Sequence, residues 1–125
     1  MKVTVYHNVA LDHAGRHVGM LDGFQADHPV TPVFTAELPE TADLAACDEM
    51  YRLLNIGDDP AFGTPDLRAQ EYRMRGNRSL SVGDLARIED RFYACARSGW
   101  LRLEAEPTIT REARVPGTTP LRDAG

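Results

Sequence analysis

Val3, Val5 and His7 alternate with Lys2, Thr4 and Tyr6. A period of two sends successive side chains to opposite faces of an extended chain, so residues 2 to 10 are expected to form a strand. Asp12-His13-Ala14-Gly15 has turn chemistry, and a second strand near Arg16 to Leu21 would complete a hairpin. Asp22-Gly23 and the Pro29 to Pro32 region break the regularity before a third strand from Val33 to Leu38. The period then changes. Leu44, Cys47, Met50, Tyr51 and Leu54 recur every three or four residues, which predicts a helix from about 42 to 56 with these side chains on its inner face. Thr41 is placed to cap its first turn, Asp43 to complement its dipole, and Gly57 to close it in the left-handed conformation. Asp43, Asp48, Glu49 and Arg52 fall largely on the opposite, solvated side.

Residues 58 to 65 are rich in turn formers and read as a connector. Asp66 can cap a short helix through Arg73, although Tyr72 and Met74 also alternate as in a strand. Four sheet segments follow, at about 79 to 82, 84 to 88, 91 to 97 and 99 to 104, with a Gly83-Asp84 corner and a tight Glu89-Asp90 turn. Beyond Pro107 no period is sustained. The expected architecture is a single α+β domain over residues 1 to 106, a mostly antiparallel β-sheet packed against the helix of 42 to 56 and ending in a C-terminal β-meander. Residues 107 to 125 are expected to be an irregular tail. The expected core is Val3, Val5, Phe34, Leu44, Cys47, Tyr51, Leu54, Leu80, Val82, Ile88, Phe92 and Cys95.

Length and composition fit this picture. A chain of 125 residues is enough for one core, and 42% apolar with 26% charged residues is ordinary for a soluble protein. There is no run of about 18 apolar residues, and the chain opens directly into a strand pattern, so the expected location is cytoplasmic, without a membrane. Charge is uneven. Residues 1 to 63 carry three basic and ten acidic side chains, and residues 64 to 125 eleven basic and nine acidic. Thirteen of the fourteen basic residues are arginine, a bias that fits a GC-rich genome better than selection for phosphate recognition.

Candidate chemistry is sparse. His7, His13, His17 and His28 all precede residue 29, but a metal ion needs three or four converging ligands, and turn signals around Gly15 prevent His13 and His17 from sharing a helix face. Ser79 and Ser81 have Asp84 nearby but no histidine base or Gly-x-Ser-x-Gly elbow. Cys47 and Cys95 sit in apolar patterns without CxxC spacing, as small buried hydrophobes. No catalytic residue, metal or cofactor is assigned. Arg68, Arg73, Arg75 and Arg78, with Tyr72 among them, are the candidate phosphate-facing patch, although the same arginines could pair with the acidic half of the chain. Trp100, if exposed, is the candidate partner-binding aromatic.

Arg78-Ser79-Leu80-Ser81-Val82-Gly83-Asp84, the strand after it, then Phe92-Tyr93 and Ser98-Gly99-Trp100, resemble the YodL-like domain, whose pattern includes a Ser-Leu-Ser-Val-x-Asp step, a strand pair and a Gly-aromatic ending. Met50 to Asn55, followed by Tyr72-Arg73, stand where that family has its helix and the approach to the motif. The resemblance covers about residues 44 to 104, and this chain departs from the family in bringing its own N-terminal strands. The whole chain is also similar to small uncharacterised proteins of actinobacteria. What the resemblance implies is a setting, plasmids and conjugative elements, and no catalytic residue. The expected function is therefore a non-enzymatic accessory or interaction module of a bacterial host or mobile genetic element, with another protein as partner. A nucleic-acid-binding protein using the arginines of 68 to 78 is the first alternative, and a metal-dependent hydrolase using the N-terminal histidines the second.

Overall fold

In the computed structural model, described for residues 1 to 110, the elements run β1 (Lys2–Asn8), α1 (Val18–Asp22), β2 (Pro29–Glu37), α2 (Asp43–Ile56), α3 (Leu67–Met74), β3 (Leu85–Ile88), β4 (Arg91–Cys95), β5 (Trp100–Arg102) and β6 (Thr108–Ile109). The strands form one sheet in the order β5-β4-β3-β1-β2-β6. Every pairing is antiparallel except β2 with β6, and β3, β4 and β5 make the expected meander. The fold is α+β. Only Leu103 to Pro107 separate the two edge strands in the chain. Six extended residue steps reach at most ~21 Å, whereas the interstrand gaps of a flat sheet this wide would span ~24 Å, so the sheet curls.

Curling gives the sheet two buried faces. On one, Val3, Val5, Ala86, Ile88 and Tyr93 pack against Met50, Leu53 and Leu54 of α2 and Tyr72 of α3. On the other, Tyr6, Val30, Leu85, Phe92 and Ala94 gather with Phe24 and Leu103. Central β1 therefore has buried residues throughout Val3–Asn8. Such a strand needs a neighbour on each side, and this overturns the expected hairpin between residues 2 to 10 and 16 to 21. β1 pairs with β2 and β3, residues 18 to 22 are helical, and a lone bridge from Leu11 to His17 closes the turn. The turn is tied locally by Asp12 Oδ1, which accepts from the amides of Ala14 and Arg16 at 2.9 Å each. β2 begins earlier than expected, at Pro29, and its register against β1 shifts between Val5 and Tyr6, opposite the stretch that holds Pro32.

α2 lies where the period places it, but three details differ. Ala42, not Thr41, is the N-cap, without a side-chain bond, and the Asp43 carboxylate instead meets Arg91 and Tyr93. Gly57 is right-handed at φ −65°; a Cβ there would lie 2.3 Å from the Leu53 carbonyl oxygen, so glycine serves close approach and not a left-handed turn. The buried stripe is Ala46, Cys47, Met50, Leu53 and Leu54, leaving Leu44 and Tyr51 53% and 42% exposed, outside the expected core. A stripe centred on Cys47, Met50 and Leu54 reaches Leu53 in preference to Tyr51. Val82 is half-buried.

Asp66 does cap α3, accepting from the Arg68 amide at 2.8 Å. Residues 79 to 82 are not a strand. Thr108–Ile109, inside the stretch expected to be irregular, form β6 beside β2. The rest of the expected tail, from 111 to 125, lies outside the described residues. Among the described residues no helix is long and apolar enough to cross a membrane.

Candidate functional site

The loop joining α3 to β3 is held by its own side chains. Arg78 Nη1 and Nη2 donate to Asp84 Oδ2 and Oδ1 at 2.7 and 2.8 Å, and the Ser81 amide donates to Oδ2 at 2.8 Å. The Asn8 amide, at the end of β1, donates to Asp84 Oδ1 at 2.9 Å. The carboxylate is 1% exposed and fully engaged. Leu80 is fixed between them: its amide donates to Asn55 Oδ1 at 2.7 Å and its carbonyl accepts from Asn55 Nδ2 at 3.2 Å, so the last turn of α2 grips the loop as a strand would. Ser79 Oγ accepts from Arg73 Nη2 at 2.6 Å. Gly83, at φ +95°, passes so close to α1 that a Cβ would sit 2.6 Å from the Gly19 carbonyl oxygen.

Beside this clasp lies a buried polar chain. The Tyr72 hydroxyl donates to the Arg78 carbonyl at 2.6 Å and accepts from His7 Nε2 at 2.7 Å. Burial, and then the Arg78 guanidinium, push His7 down to about 4, so its imidazole is neutral at neutral pH. Burial also raises the Tyr72 hydroxyl, which stays protonated. Asn8 Nδ2 donates to the Gly83 carbonyl at 3.1 Å and to His28 Nδ1 at 3.0 Å. A recess of about 240 Å³ opens over His7, His17, Thr31 and Arg78.

The candidate residues of the sequence are dispersed by this arrangement. Tyr72 is 1% exposed and packs edge-on against Phe34, so it presents no ring to a base. Arg73 donates to the carbonyls of Leu54 and Asn55 at 3.0 and 3.1 Å, tying α3 to the end of α2. Arg68 pairs with Asp66 at 2.9 Å and Arg75 with Glu71 at 4.0 Å, both at the surface. Trp100 is half-buried; its indole Nε1 donates to Asp48 Oδ1 at 3.1 Å, across to the face of α2 expected to be only solvated. Of the histidines, His7 and His28 join the buried network while His13 stands in the Asp12 turn. Among the described residues no three His, Cys, Asp or Glu side chains converge as a metal site. Cys47 and Cys95 are buried free thiols, raised by burial to about 12 and about 11.

One further feature was not foreseen. A groove of about 580 Å³ runs along β4 and β5, floored by Val82 and Ala94 and walled by Leu21, Phe24, Leu101 and Leu103. Its lining is mainly apolar, and Leu21 and Leu101 are 51% and 64% exposed. Arg97 stands at its rim, donating to the Leu21 carbonyl at 3.4 Å.

Set against protein-family models, curated proteins and solved structures, this chain matches none. The groove left no mark in the sequence because its residues come from three separate segments, Leu21 with Phe24, then Val82, then Leu101. The clasp left one: an arginine and an aspartate six residues apart around two serines and a glycine.

Proposed function

We propose that this chain is a non-enzymatic interaction module that takes an apolar segment of another protein into the groove of Leu21, Phe24, Val82 and Leu101. The observation that carries this reading is a contrast. The groups with chemical potential, Arg78, Asp84, His7 and Tyr72, are bonded to one another inside the fold, whereas large apolar side chains line an open groove. Exposed apolar surface of that kind is what partner recognition uses. The setting is the one the YodL-like resemblance implies, an accessory role in a bacterial host or its mobile elements, with a cytoplasmic protein as partner. The arginines of 68 to 78 are matched by neighbouring carboxylates or backbone carbonyls, which gives a phosphate backbone little unbalanced charge to neutralise.

The test is recovery of a partner by the tagged full chain, comparing wild type with Leu21→Asp, Leu101→Asp and Arg68→Asp. Loss with both groove variants and retention with Arg68→Asp is the expected pattern. Retention by the groove variants, or loss confined to Arg68→Asp, contradicts it.

A further inference from the structure

Among the described residues β5 ends the sheet, and the phase of its ladder fixes what it presents outward. The Leu103 amide donates to the Phe92 carbonyl and the Ala96 amide to the Gly99 carbonyl, both at 2.9 Å, while Leu101 stands opposite Ala94. Bonding positions alternate along an antiparallel pair. Gly99, Leu101 and Leu103 therefore turn their backbone groups to β4, and Trp100 and Arg102 turn theirs away from the sheet. The side chains alternate in the opposite sense. Trp100 and Arg102, opposite Cys95 and Tyr93, share the α2 face, and Leu101 faces the groove.

We infer that β5 pairs with β5 of a second copy, antiparallel, about a two-fold axis through Leu101. Symmetric pairing must place outward-turned residues opposite one another, which leaves few registers. Centring on Arg102 sets two guanidinium groups face to face. Centring on Trp100 requires Ser98, beyond the strand, to supply the outer bonds. Centring on Leu101 uses every outward amide and carbonyl of Trp100 and Arg102, and it sets Trp100 across from the partner's Arg102 twice over. That pair is self-complementary, because a guanidinium is attracted to an indole face and Asp48, which already holds Trp100 Nε1, adds a carboxylate beside it. The exposed Leu101 side chain then meets its own copy in the close, non-hydrogen-bonded pair. This goes beyond the reading above, since β5 pairing stands whether or not the groove takes a different protein.

The test is disulfide trapping in the full chain. In this register the two Leu101 Cα atoms stand ~4.5 Å apart, inside the range of about 4.4 to 6.8 Å that a disulfide spans. The two Ser98 Cα atoms are separated by roughly 20 Å along the strands. Both positions are exposed, and the native thiols Cys47 and Cys95 are buried. Under oxidised glutathione, Leu101→Cys is expected to form a covalent dimer and Ser98→Cys to stay monomeric. In sedimentation equilibrium the wild type is expected to rise with concentration from 13.9 kDa toward twice that mass, and Leu101→Lys to remain at 13.9 kDa. A wild type that stays monomeric, a Leu101→Lys variant that still dimerises, or equal trapping at positions 98 and 101 overturns the inference.

Discussion

Arg78 and Asp84 hold each other through two parallel bonds of 2.7 and 2.8 Å across a loop of five residues, one partner 29% and the other 1% exposed at the side chain. Removing the cation leaves a desolvated carboxylate without its counter-charge, which in such pairs costs on the order of 3 kcal/mol. Arg78→Met is expected to lose about that much stability in urea unfolding. Arg75→Met, which breaks an exposed pair of 4.0 Å, is expected to stay within about 0.5 kcal/mol.

His7 supplies a pH signature. Its value in the fold, about 4, lies below the 6.5 of an unfolded histidine, so between these values the unfolded chain binds a proton that the folded chain does not. Stability should therefore fall as pH drops from about 6.5 toward 4, by up to ~3 kcal/mol. His7→Gln, which keeps a donor toward Tyr72, is expected to flatten that limb. Asp43, lowered to about 2 by its bonds from Arg91 and Tyr93, contributes stability lost only at lower pH, from 3.8 down to about 2, and that lower limb should persist in the variant.

Gly83 and Gly99 both have positive φ, +95° and +80°, but differ in surroundings. A Cβ at Gly83 meets the backbone of Gly19 at 2.6 Å, whereas one at Gly99 meets nothing within 4 Å. Gly99→Ala should cost about 1 to 2 kcal/mol from conformation alone, and Gly83→Ala about 1 to 3 kcal/mol beyond that from the clash. Thermal unfolding of the two variants checks the order.

The α2 stripe can be tested in the same way. Leu54→Ala should cost about 2 to 5 kcal/mol, while Leu44→Ser and Tyr51→Ser should stay near 0.5 kcal/mol or below. A large loss at Leu44 would restore the inner face that the three- and four-residue period suggested.

These contrasts show what the residues disclosed. Local patterns were legible: the β1 alternation, the α2 period, the Asp66 cap and the meander after Asp84 each rest on neighbours in the chain. Pairing across the chain was not. Nothing near Val3 or Val5 says that β1 is central, and the pattern of 79 to 82 reads as a strand until Asn55, Arg73 and Asp84 are seen to satisfy its backbone and hydroxyl groups from outside. Tyr72 and Arg73 read as members of a phosphate-facing patch because burial against Phe34 and the end of α2 is a tertiary fact. The groove is legible only in three dimensions for the same reason.

The central claim is that recognition belongs to the apolar groove and not to the arginines of 68 to 78. Site-specific photo-crosslinking in the native host addresses it most directly, with a benzophenone side chain placed at Leu21 in one variant and at Arg68 in another. The account predicts a discrete protein adduct from position 21 and none from position 68. Adducts from position 68 alone, to protein or to nucleic acid, would contradict it.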